Sequence, residues 1–280
     1  MGWIFYEKRV PAFAGRSTNH RPLRLRRLPN RRAARVPDPE MPEDVSAPES
    51  EPLPATAEEA YGKLLWNVYL SGMLPSDDDL QPQDLYLGFP DDREENAFAI
   101  CDVDGDGADK LVLLWDYALA YCGELGLVYG YDSGAVHREL LEFPDLMFYE
   151  NGIATAGISH NQGRSGRFWP LYLYRYEADA GVYQEVGTLA GWDQTIPPGA
   201  EGFPTDIDAD RDGMVYFHPD IPENPDGTYT PVDGPEFEAW WSSFLDGAQP
   251  LELPLQKLTE ENIAALGYPE PQTVILPSED

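Results

Sequence analysis

The sequence predicts an α+β fold, mainly β: an antiparallel β-meander with one N-terminal helix and helices near the C-terminus. Three observations lead there. Short apolar runs alternate with Gly-, Asn- and Asp-rich turns between residues 97 and 217. Aromatic residues are abundant, with 16 Tyr, 11 Phe and 7 Trp in 280 residues, and they suit a pleated, half-buried surface. Apolar residues at helical spacing lie before and after that stretch. The strand order is left open between a partial propeller, an open meander and a barrel.

The elements follow in order. Thr56-Ala-Glu-Glu59 is a capping box, and Tyr61, Leu64, Leu65 and Val68 then recur at helical spacing until Gly72 and Pro75. Ala97–Cys101 and Leu111–Trp115 flank an Asp/Gly turn. The second run is continuously apolar, which predicts burial on both faces. Leu127–Tyr131 and Val136–Glu142 flank Asp132-Ser-Gly134. Leu146–Tyr149 and Ile153–Ser159 flank Glu150-Asn-Gly152, which reads as a type I′ hairpin. Phe168–Tyr176 and Tyr183–Thr188 come next, with Tyr172, Tyr174 and Tyr176 on one face as a core or stacking surface. After Met214–Phe217, Phe237, Trp240, Trp241 and Phe244 predict a helix over Pro235–Leu245, and a short helix follows from Thr259 to about Gly267.

Charge divides the chain into three parts. Residues 1–36 carry ten basic residues and one acid, a net +9. This arm reads as disordered, and its origin is threefold: a nucleic-acid-binding tail, a transit peptide, or sequence that is not native coding. Residues 37–55 form a Pro/acid linker that cannot bury a core and suits a peripheral tether. The single β-rich domain spans 56–275. Residues 37–280 hold 49 acids against nine basic residues, a net −40. A body this acidic repels nucleic acid and anionic membranes. Cys101 and Cys122 lack metal-ligand spacing and leave two choices open, a disulfide or two free thiols.

Two acidic loops carry the chemistry. Calcium takes six to eight oxygens, and alternate aspartates in a tight loop deliver three carboxylates to one point. Loop one places Asp102, Asp104 and Asp106 at alternate positions, with Gly107 at the turn and the Ala108 carbonyl next. The usual later acids are replaced by Lys110 and Leu113, and the Lys110 ammonium competes with a metal for the three carboxylates. Loop two repeats the pattern with Asp208, Asp210, Asp212, Gly213 and the Met214 carbonyl, again with no terminal acid. Missing ligands predict weak, structural Ca2+ sites of the extracellular class, roughly 10⁻⁴–10⁻³ M.

The run Phe98-Ala-Ile-Cys-Asp-Val-Asp-Gly-Asp-Gly-Ala-Asp-Lys-Leu-Val-Leu113 resembles the strand–DxDGDG–strand unit of FG-GAP/VCBS-like repeats. It is also similar to exported proteins of gut Firmicutes that carry one such unit. In those repeats the calcium is structural, so the resemblance implies metal ligation by Asp102, Asp104 and Asp106 and implies no catalysis.

No catalytic set stands out. There is no zinc-binding histidine pair, nucleophile elbow, phosphate-binding glycine loop or dinucleotide fingerprint. The polar loop around His160, with Arg164 and Arg167, forms a cationic island suited to an anion or a carboxylated sugar. The leading expectation is a non-catalytic, monomeric, secreted or envelope protein that binds an extracellular glycan or protein. The alternatives are a hydrolase using the His160 loop and a cytoplasmic protein with a nucleic-acid-binding arm.

Overall fold

Among the described residues, strand pairing within each sheet is antiparallel and follows sequence order for nine of the ten strands. The computed structural model describes residues 56–75, 96–117, 123–142, 145–158, 167–196, 201–268 and 270. The chain divides into units Met1–Glu51 and Pro52–Asp280, and every described residue belongs to the second. The basic arm and the whole of the linker lie outside the described residues.

The first sheet contains β1 (Ala97–Cys101), β2 (Lys110–Tyr117), β3 (Gly123–Asp132) and β4 (Ala135–Glu142). The second contains β5 (Met147–Phe148), β6 (Ile153–Gly157), β7 (Leu171–Glu177), β8 (Val182–Asp193) and β9 (Met214–Phe217). A late strand, β10 (Gln256–Lys257), adds to the first sheet beside β1, giving the order β10-β1-β2-β3-β4. Neither sheet closes into a barrel.

The predicted continuous burial of β2 is observed, and the strand's period of two explains it. Leu111, Leu113 and Trp115 face one apolar cluster with α1 (Ala57–Ser71) and α3 (Glu260–Ala265). Val112 faces the opposite way, into a cluster built by both sheets with Phe148, Ala154, Tyr174 and Tyr183. The outer face of the second sheet, through Ile153, Leu173 and Leu189, packs against Phe237 of α2 (Gly234–Leu245). Helices, sheet, sheet and helix thus form successive layers around three apolar seams.

The N-terminal helix matches its prediction. Thr56 accepts from the Glu59 N–H at 3.2 Å, and Gly72 ends the helix in the left-handed region with φ of 68°. Tyr61, Leu65 and Val68 are fully buried. The predicted type I′ turn lies elsewhere. Ser133 and Gly134 both have positive φ, as that turn requires, whereas at Glu150-Asn-Gly152 only Gly152 does. The second hairpin is a three-residue loop: Gly152 N–H donates to the Tyr149 carbonyl, and Tyr149 N–H to the Ile153 carbonyl. Tyr172, Tyr174 and Tyr176 pack into the inter-sheet core. Cys101 is a free thiol, and Cys122 lies outside the described residues. Among the described residues, no helix is long and apolar enough to cross a membrane.

Candidate metal centre

Loop one is a set of carboxylates folded onto their own backbone. Asp102 accepts from the N–H groups of Gly105 (2.8 Å) and Gly107 (3.0 Å). Asp104 accepts from Asp106 N–H, and Asp106 from Ala108 N–H. These bonds hold the three side chains in register, so that one oxygen of each lies within 4.8 Å of the others. Val103, wholly buried in the inter-sheet core, anchors the loop from below. Tyr183 on β8 donates to the Val103 carbonyl at 2.9 Å, and Tyr61 on α1 donates to the Asp109 carbonyl at 3.0 Å.

The β5–β6 hairpin closes against the same loop. A Cβ built at Gly152 would lie 2.7 Å from the Asp104 carbonyl oxygen, and Gly152 has φ of 74°. The obstacle is backbone, which cannot rotate away. Gly152→Ala is expected to cost roughly 1–3 kcal/mol in urea denaturation; an unchanged midpoint would count against this contact.

Lys110 already places a cation in loop one. Its Nζ lies 2.7 Å from Asp104 Oδ2 and 2.7 Å from Asp106 Oδ2, and 3.5 Å from the Ala108 carbonyl. Both the Lys110 and Asp104 side chains are buried, and the ammonium sits 5.2 Å from the Tyr176 ring centroid. Burial opposes ionisation of Lys110, but its bonds to Asp104 and Asp106 prevail and raise its pKa. Burial raises the Asp104 carboxyl despite Lys110. At the more open Asp106 burial acts the same way, yet the bonds from Lys110 and Ala108 outweigh it and hold the pKa low.

A further acid sits beside this network. Glu139 is the extra residue at a bulge between β3 and β4, where the register shifts after Val128. Its carboxylate lies over Gly130, where a Cβ would meet Oε1, and the missing side chain makes the room. Continuing the β2–β3 register one step from Leu111 and Tyr129 places Lys110 across from Gly130. The Glu139 side chain is 1% exposed; Oε1 lies 3.3 Å from His137 Nε2, and Oε2 has no hydrogen-bond partner. Burial pushes its pKa up to about 7 even though Lys110 draws it down.

Loop two uses the same turn with a different counter-charge. Asp208 accepts from Asp212 N–H and Gly213 N–H, both at 3.1 Å, and Asp210 accepts from Asp212 N–H at 3.0 Å. The carboxylate that joins Asp208 and Asp210 within 4.8 Å is that of Asp233, twenty residues beyond Gly213. Tyr216 and Val232 exchange two backbone bonds, 2.8 and 2.9 Å, and this bridge brings Asp233 to the loop. Phe237 stacks on Tyr216 at 4.7 Å and fixes the start of α2. Asp212 is engaged elsewhere: its Oδ1 accepts from Met214 N–H, and Oδ2 faces Arg167 at 3.7 Å. Met214 begins β9 and is buried.

Asp233 is the functional candidate the sequence reading missed. Asp-Gly-Pro-Glu before an apolar helix is a helix-start signal, and Asp233 does occupy the N-cap. Its carboxylate makes no capping bond, however, and Oδ1 is buried without a partner. An aspartate that forgoes its cap bond and turns toward two other aspartates fits a cation. Among the described residues there are two acidic triads able to chelate a divalent ion, one already neutralised in part by Lys110 and one with no described lysine or arginine paired to the triad carboxylates.

Of the cationic island, His160 and Arg164 lie outside the described residues. Arg167 is described and acts as a strap. Its Nε lies 3.2 Å from Asp193 Oδ2, and another guanidinium nitrogen donates to the Asp212 carbonyl at 2.7 Å. Burial works against ionisation of Asp193, but bonds from Thr195 and Arg167 hold its pKa at about 2. No protein family, curated protein or solved structure matches this chain.

Proposed function

We propose that this is a non-catalytic exported or cell-surface protein whose β-rich domain is clamped by structural Ca2+, principally at Asp208, Asp210 and Asp233. The carrying observation is the buried, unpartnered Oδ1 of Asp233 beside two further carboxylates. Oxygen-only donors in an acidic loop suit calcium over softer ions. The clamp joins the β8–β9 loop to α2, which are otherwise linked by the Tyr216–Val232 bridge and aromatic packing. Loop one, on this reading, is the lysine-neutralised counterpart. The β1–loop–β2 hairpin agrees with the resemblance to FG-GAP/VCBS-like units, and the acidic body suits a high-calcium exterior and contact with a glycan or protein.

Differential scanning calorimetry tests the clamp. At 5 mM Ca2+, a site of roughly 10⁻⁴–10⁻³ M affinity adds about 1–2 kcal/mol and raises Tm by about 3–6 °C relative to EDTA. Asp233→Asn is expected to abolish most of that rise while leaving the Tm in EDTA unchanged or slightly higher, because one repulsive charge is gone. A full calcium shift in Asp233→Asn would move the site elsewhere, and no shift in the parent protein would reject the clamp.

A further inference from the structure

Between Ile207 and the connection from β9 to α2, the surface opens into a cavity of about 640 Å³. Proline, isoleucine and valine side chains make its apolar wall, and its polar groups are His218, Asp220, Asn224, Thr230, Asp233 and Glu236. Among the described residues, no lysine or arginine lines it.

Neighbouring contacts hold Asp220, Asn224 and His218 in place at the rim, while Glu236 is exposed. Trp240 Nε1 donates to Asp220 Oδ2 at 2.7 Å, which orients the carboxylate and leaves its other oxygen for a ligand. Asn224 spends its amide nitrogen on Thr228 and Thr230, both at 3.1 Å, so its carbonyl oxygen remains. The His218 ring lies flat on Trp240, 4.2 Å between centroids and 14° between planes. Burial lowers the basicity of His218 more than Asp220 and Glu236 raise it, so the imidazole is neutral at neutral pH and supplies no competing charge.

The cavity is consequently rich in acceptors, negative, and partly apolar. An anion would meet three carboxylates there. A complementary ligand brings hydrogen-bond donors, positive charge and a hydrocarbon body. We propose that this cavity binds an organic cation, a primary ammonium or guanidinium on an apolar stem, anchored by Asp220 and Glu236. Asp233 belongs to the metal triad, so the two remaining carboxylates carry the recognition and binding does not require calcium. The site therefore stands or falls separately from the calcium clamp.

Calorimetric titration of the full chain in EDTA at 150 mM salt, with three probes of one stem length, tests this. 1,5-Diaminopentane is expected to bind saturably, with 1,5-pentanediol and glutarate at least tenfold weaker. Asp220→Asn keeps an oxygen for the Trp240 indole, and with Glu236→Gln it should weaken diamine binding about tenfold in each case. Glu252→Gln, an acid outside the cavity, should change nothing. Nα-acetyl-lysine methylamide in parallel separates a partner's lysine side chain from a free amine, and saturable binding of either supports the site. The proposal is overturned if neither amine binds saturably, if the diol matches the diamine, or if Glu252→Gln weakens binding as much as Asp220→Asn.

Discussion

Lys110→Met lowers the unfolding free energy by about 3–5 kcal/mol in metal-free buffer, read as a urea midpoint shift. The ammonium is the only cation bonded to Asp104 and Asp106 among the described residues, at 2.7 Å to each. Asp104 is fully buried at the side chain, so removing its partner strands a charge that water cannot reach. Met fills the volume of the stem and leaves the charge problem alone, which separates electrostatics from packing. Added Ca2+ should restore part of the loss in this variant, since it can take the position between the same carboxylates. A loss below about 1 kcal/mol would mean that the pair is solvated and worth no more than a surface salt bridge.

Glu139→Gln acts in the opposite direction, and only above acid pH. In the unfolded chain the carboxyl titrates near 4.5; in the fold burial raises it to about 7. Below about pH 4.5 the group is protonated in both states, and its contribution to stability is fully present. As pH rises through 7, the folded protein must ionise a carboxylate held against Gly130 with one oxygen unpartnered, and that contribution is lost. The cost is about 3 kcal/mol at pH 8. Glutamine keeps the shape and cannot ionise. Stability curves of the two proteins should therefore coincide near pH 4, diverge between about 4.5 and 7, and run parallel above that with the variant more stable. Parallel curves across the whole range would show that Glu139 titrates normally.

Local features of the fold were legible because they rest on local rules. The Thr56 cap, the alternation in the strands and the helix through Phe237 each depend on residues a few positions apart. The double-faced burial of β2 followed from one uninterrupted apolar run. What escaped was long-range. No pattern in Gln256-Lys257 announces a strand, because two residues have no period, and only β1's unpaired edge makes them one. Gly152 misled for a related reason: the Asn-Gly pair suits two kinds of hairpin, and packing against Asp104 accompanies the three-residue loop. Asp233 was missed because sequence shows a residue's neighbours along the chain and hides its neighbours in space. Lys110 was the informative case. Its position inside the acidic run announced the competition with metal, and the geometry gives the ammonium two of the three carboxylates.

The pairing of β10 with β1 has a consequence for how the protein is made. The partners Ala97 and Lys257 are 160 positions apart. On a ribosome, β1 through β4 emerge early and can pair at once, yet the outer edge of β1 stays open until almost the whole domain has been synthesised. Such an edge is a template for unwanted pairing with other chains. Completing the sheet also sets a high loop-closure cost late in folding. A released chain truncated before residue 256 is therefore expected to aggregate more readily than one that extends past residue 257, measured by light scattering at equal concentration.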